Sequence, residues 1–169
     1  MLRFTMLLTV LLLAAAPAQA TQISYSLAMD GTQEVPPADL DGTASGNITL
    51  DDVSGVISWS FTYANIVAPS AMHIHGPGGS AGSNAGVFVG LGVATSGGAG
   101  TLISSVTTTP ANVATIFANP TDFYVNIHNS VFPGGAVRGQ LGNVVPEPGA
   151  ALLLAAGLAS LATIRRRQD

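Results

Sequence analysis

Ile57-Ser58-Trp59-Ser60-Phe61-Thr62-Tyr63 alternates without a break between a large apolar residue and a small hydroxyl. A period of two is the mark of an extended strand with one buried and one wet face, and it excludes a helix through this stretch. It also excludes a strand buried on both faces, as parallel sheets use, because Ser or Thr fills every second position. The same period puts Ile23, Tyr25, Leu27 and Met29 on one face of an earlier strand. Further strands are expected at 42–50, 71–75, 85–92, 100–106, 123–128 and 136–141, with Asp51-Asp52-Val53-Ser54-Gly55 as a tight turn between neighbours. The expected fold is all-β, an antiparallel Greek-key sandwich or barrel of about eight strands. Tyr25, Leu27, Trp59, Phe61, Ile74, Val125 and Ile127 should lie inside it. One short helix is expected over 110–118, since Thr109 can cap it, Pro110 suits its first position, and Val113, Ile116 and Phe117 recur at helical spacing.

The two ends of the chain read differently from its body. Residues 1–20 have a basic start at Arg3, an apolar run and small residues at Ala18 and Ala20, the layout of a cleavable secretory signal. Residues 149–164 carry no charge and run directly into Arg165-Arg166-Arg167. A helix there would span about 24 Å, a short transmembrane segment whose arginines stay cytoplasmic and leave the body outside. Residues 21–145 remain as one domain with one core. The chain has no Cys, so an exported domain of this size must be held by its apolar core rather than by disulfides. The body has no Lys, and Arg138 stands alone against Asp30, Glu34, Asp39, Asp41, Asp51, Asp52 and Asp122. Such a surface repels phosphate backbones and excludes nucleic acid as a partner.

All three histidines fall in two short segments, His73-Ile74-His75 and Asn126-Ile127-His128. On a strand His73 and His75 share a face while Met72 and Ile74 take the other, and His128 and Asn126 stand opposite Phe123, Val125 and Ile127. If the two strands are neighbours, the three imidazoles gather in one cluster on the outer face of the sheet, with Arg138 nearby. Such a cluster can hold zinc or copper. The alternative is that the rings are outward polar groups bonded to loop carbonyls of the segment 76–100, where 10 of 25 residues are Gly. Gly78-Gly79-Ser80-Ala81-Gly82 has the spacing of a serine nucleophile motif but lacks a strand-to-helix elbow and is read as loop. Asp39-Leu40-Asp41-Gly42 lacks the spacing and closing Glu of a calcium loop and is read as a solvated turn.

Four landmarks, Thr32-Gln33-Glu34-Val35-Pro36-Pro37, His73-Ile74-His75-Gly76-Pro77, Phe123-Tyr124-Val125-Asn126-Ile127-His128 and Pro133-Gly134-Gly135-Ala136-Val137-Arg138-Gly139-Gln140-Leu141, together resemble the CHRD domain family over essentially the whole body. The family was named from repeats in an animal extracellular protein and also occurs singly in secreted bacterial proteins. The resemblance implies an exported binding or structural module whose partner is an extracellular protein or a polysaccharide. A His-x-His strand, a glycine-rich loop, a later strand histidine and an arginine about ten residues on also resemble, distantly, the motif order of copper–zinc superoxide dismutases. That resemblance implies a superoxide-dismutase-like or immunoglobulin-like sheet and, as an alternative function, a copper-dependent dismutase. His73, His75 and His128 would be its ligands and Arg138 its anion-guiding group. Nothing between His75 and His128 supplies the bridging histidine of those enzymes, so any site would hold a single metal.

Val145-Pro146-Glu147-Pro148, the apolar run 149–164 and the three arginines are similar to the PEP-CTERM sorting signal of Gram-negative bacteria. This implies processing of the tail 146–169 by an exosortase-type enzyme, with Pro146, Glu147 and Pro148 as the sorting motif. The membrane would be a partner only before that processing. The destination implied is the periplasm, outer cell surface or extracellular matrix.

Overall fold

The structure, a computed structural model, describes residues 20–93 and 100–145. The expected signal, but for Ala20, and the whole tail with its segment 149–164 lie outside the described residues. Among those described, no helix is long and apolar enough to cross a membrane.

Among the described residues nine strands follow in chain order: β1 (Gln22–Asp30), β2 (Thr43–Asp51), β3 (Val56–Ala64), β4 (Pro69–His75), β5 (Val87–Gly90), β6 (Gly100–Thr107), β7 (Tyr124–Asn129), β8 (Val137–Gln140) and β9 (Val144–Val145). Eight of them form one antiparallel sheet in the order β5-β4-β7-β8-β1-β2-β3-β6, and β9 pairs with β1. The sheet curls into a half-barrel. Its two edges approach each other where Leu91 and Val93, beyond β5, line a cleft with Trp59 of β3 and Leu102 of β6.

The period of two decides what fills the curl. Tyr25, Leu27 and Met29 from β1, Ile57, Trp59, Phe61 and Tyr63 from β3, Met72 and Ile74 from β4, and Val125 and Ile127 from β7 are all buried in one core. All seven residues expected inside are there. β1 and β2 pair along their full length from Gln22–Asp51 to Asp30–Thr43, and β2 pairs with β3 through the turn at Asp51. Asp51 Oδ1 holds that turn by accepting the N–H groups of Val53 and Ser54 at 3.0 and 2.7 Å. The helix α1 (Pro110–Ala118) starts where expected, with Thr109 Oγ1 accepting the Asn112 N–H at 3.2 Å. Val113 and Ile116 join the core from it.

One connection matters for function. β3 and β4 follow each other in the chain, yet β7, β8, β1 and β2 stand between them in the sheet. That crossing places β4 beside β7, and so brings the two histidine segments together.

Candidate metal centre

In the β4–β7 pair His73 faces Asn126, His75 faces Tyr124 and Ala71 faces His128. β8 continues the rows, with Arg138 opposite Asn126 and Gln140 opposite Tyr124, and Arg138 also faces Asp30 of β1. Met72, Ile74, Val125 and Ile127, the alternate residues, point into the core. The pleat therefore collects His73, His75, Tyr124, Asn126, His128, Arg138 and Gln140 on the opposite face.

That face was expected to be an outer one, and here the structure differs. His75 and His128 are 8% exposed, and Asn126 and Arg138 are 1% exposed. The segments 76–86 and 130–136 lie over them and make a second, polar buried layer. Period-two reasoning gives the side of the sheet a residue occupies but is silent on what later covers that side.

The histidines converge. His73 Nδ1 lies 3.0 Å from His128 Nε2, ring centroids are 4.8 to 6.0 Å apart, and the donor nitrogens of all three fall within 4.8 Å of one another. His75 Nδ1 is 2.9 Å from the Ala85 carbonyl and His128 Nδ1 is 3.0 Å from the Pro133 carbonyl. A carbonyl oxygen only accepts, so both Nδ1 atoms carry hydrogen and donate it. In the neutral rings Nε2 is then the lone-pair nitrogen. His128 Nε2 accepts from His73 Nδ1, whereas His75 Nε2 is buried with no hydrogen-bond partner among the described residues. Opposite His73 on the other side stands Gly90 of edge strand β5, around whose missing Cβ there is open space. Among the described residues, no side chain closes the approach to the cluster past Gly90.

The charge state suits a cation. Burial lowers the pKa of His73, and the neighbouring His128 and His75 add to the shift. Burial likewise lowers that of His75, against the opposing pull of the Ala85 carbonyl. Neutral imidazoles are the ligand form.

Arg138 is a strap rather than an exposed cation. Its guanidinium carbon sits 3.5 Å from the centroid of the Tyr124 ring, which in turn stacks on His75 at 4.8 Å and 3°. Nη2 donates to the carbonyls of Gly79 and Ser80, each at 3.0 Å, and to Gln140 Oε1 at 3.2 Å. Gln140 Nε2 donates to the carbonyls of Gly79, Thr121 and Phe123. These bonds tie down the loop that carries Ala85, and through Ala85 they set the ring of His75. The Gly-x-Ser-x-Gly run is thus loop, and it contributes the Ser80 carbonyl to Arg138. In the turn at Asp39, Leu40 and Asp41 are exposed as expected, but Asp39 is 6% exposed and its N–H donates to the Ala136 carbonyl at 3.2 Å.

Glu34 is the residue that sequence reasoning passed over. It is 6% exposed, its Oε1 has no hydrogen-bond partner, and burial pushes its pKa up to about 7 despite the pull of Arg138 and Asn126. A Cβ at Gly135, whose φ is +136°, would collide with Glu34 Oε1 and stand 2.8 Å from Asn126 Nδ2. The only signal for Glu34 in the sequence was its place in Thr32-Gln33-Glu34-Val35-Pro36-Pro37.

Among the described residues no second group of His, Cys or carboxylate side chains gathers in this way. No curated protein and no solved structure gives a significant match to the chain. A family model for the CHRD domain does match, over residues 25–141. That span runs from Tyr25 in β1 past Arg138 and Gln140 in β8 and contains every residue of the polar layer. The chain belongs to the CHRD domain family.

Proposed function

We propose that this protein is an exported binding module of the cell envelope or matrix that holds one copper or zinc ion through His73, His75 and His128. One observation carries the reading: His75 Nε2 is buried without a partner beside two other imidazole nitrogens. A buried polar atom left unpaired costs about 1–3 kcal/mol, and a cation shared with His73 and His128 would remove that cost. The carbonyls of Ala85 and Pro133 act as the outer partners that metal-bound histidines usually have, orienting each ring and fixing its tautomer. To take an ion, the neutral His73 ring would carry its hydrogen on Nε2 instead of Nδ1 and present Nδ1 to the ion in place of the bond to His128. Three neutral imidazoles leave a further coordination position for an oxygen donor.

The dismutase alternative gains no support from the polar layer. Arg138, its anion-guiding group, is 1% exposed and gives its Nη2 hydrogens to backbone carbonyls. Metal analysis of the protein taken from its native envelope tests the proposal. One equivalent per chain is expected, and its loss in both His73→Ala and His128→Ala. A chain that takes up neither copper nor zinc would leave the cluster a hydrogen-bonded structural feature.

For the tail we propose removal of residues 149–169 by an exosortase-type enzyme in a Gram-negative envelope, supported by the Pro146-Glu147-Pro148 motif ahead of a short apolar run. Intact mass of the envelope-derived protein decides it: a mass that includes the three arginines means a permanent anchor.

A further inference from the structure

Asn126 has a place in the site that the histidines alone do not account for. It faces His73 directly across the β4–β7 pair, lies two residues before His128 on the same face, and is 1% exposed. Its place on β7 sets it beside the His73–His75 strand on one side, and at Gly135 beside Glu34 on the other. Asn126 Nδ2 and Glu34 Oε1 crowd the same point beside Gly135, so the amide nitrogen is the end turned toward the carboxylate. Oδ1 is the end left over, and it is buried with no hydrogen-bond partner. His75 Nε2 is in the same condition.

Two buried acceptors in one small space, with no donor between them, repel each other and forfeit their hydration. Neither donates to the other: the His75 N–H goes to Ala85, and the Asn126 amide nitrogen lies on the Glu34 side, beside Gly135. A positive ion between them satisfies both lone pairs at once. We infer that Asn126 Oδ1 is the oxygen donor of the three-histidine centre, bonded to the ion or to the water on it, and that the Glu34 carboxylate holds the amide in that orientation. The inference rests on the proposed histidine site. It makes the centre three nitrogens and one oxygen, a donor set that zinc and copper(II) both accept. It also gives the φ of Gly135 a purpose, since a side chain there would push Glu34 and Asn126 out of line.

The test uses the full-length chain in detergent, with zinc and copper(II) as the probes. Asn126→Asp, which places a charged oxygen at the same position, is expected to bind zinc at least tenfold more tightly than the wild type. Asn126→Leu is expected to bind at least tenfold more weakly and to change the copper(II) electron paramagnetic resonance spectrum. Glu34→Gln, which leaves every donor atom in place, should weaken zinc binding about threefold to tenfold. Because Asn126→Leu can fail to fold, the wild type is also followed by 15N NMR, where zinc should shift the Asn126 side-chain amide. Equal affinities across the Asn126 variants with an unmoved amide would overturn the inference while leaving the histidine site standing. Failure of the wild type to bind either metal would overturn both, and the pair of orphaned acceptors would then reflect an amide turned to donate to His75.

Discussion

Replacing Glu34 by Gln should make the protein more stable at pH 8 than at present, and by an amount that depends on pH in a defined way. The carboxyl has a pKa near 4.5 when free and about 7 in the fold, because burial disfavours the ion more than Arg138 and Asn126 favour it. The folded chain therefore keeps a proton that the unfolded chain has released between those two values. The contribution of Glu34 to stability is greatest below about pH 4.5, falls as pH rises to about 7, and is level beyond it. At 1.36 kcal/mol per pKa unit the fall attributable to Glu34 is about 3 kcal/mol. Gln has nearly the same shape and does not titrate, so the comparison isolates this one group. His73 and His75, whose lowered pKa values act in the opposite sense, are present in both chains and cancel in the difference. The assay is urea unfolding of both proteins with a chelator present, at intervals from about pH 4.5 to 8.5. The variant's free energy minus that of the wild type should climb by about 3 kcal/mol up to pH 7.5 and then flatten. A difference constant to within about 0.5 kcal/mol would show that Glu34 ionises as if in water, and would refute its burial.

Four other outcomes are expected. Trp59→Ala should cost about 3–5 kcal/mol, read from the urea midpoint, because the ring is 4% exposed and closes the core where the sheet edges meet. Gly135→Ala should cost about 1–3 kcal/mol in thermal unfolding, since φ is +136° and the new Cβ strikes Glu34; a neutral result would mean that the loop moves freely. Arg138→Lys cannot both cover Tyr124 and reach the Gly79 and Ser80 carbonyls, so zinc affinity by calorimetry should fall about tenfold as the Ala85 carbonyl loses its register with His75. Zinc at about one hundred times its dissociation constant should raise stability by about 2.7 kcal/mol in the wild type and by nothing in His128→Ala.

Much of this layout could be read from residue order, and the parts that could not share one cause. Alternation along 57–63 placed Trp59 and Phe61 in the core, and alternation along 72–75 and 125–128 sent the histidines to the other face. Thr109 and Pro110 marked the start of α1. These are local rules, satisfied within a few residues. What covers the histidine face is decided by where distant segments land. The glycines of 76–86 announce a pliable loop, but only the Arg138 and Gln140 bonds to Gly79 show that it folds back over the sheet. The single arginine of the body read naturally as a surface charge, and its partners are backbone carbonyls that no composition reveals. Asn126 and Glu34 were visible as motif letters, yet their orphaned oxygens exist only once β1, β4, β7 and β8 lie side by side. β9 is two residues long, too short for a periodic pattern to register.

His73 and His128 are 55 residues apart in the chain and 3.0 Å apart in the fold. An ion shared between them would be a cross-link closing a 55-residue loop, in a protein that has no cysteine with which to make any other. By the chain-entropy estimate used for disulfides, a closure of that length restricts the unfolded chain by about 4 kcal/mol. With zinc, unlike a disulfide, such a staple would be indifferent to reductants, would form without an oxidant, and would open when the ion is withdrawn. The strength of a zinc staple would follow the local supply of metal and acid.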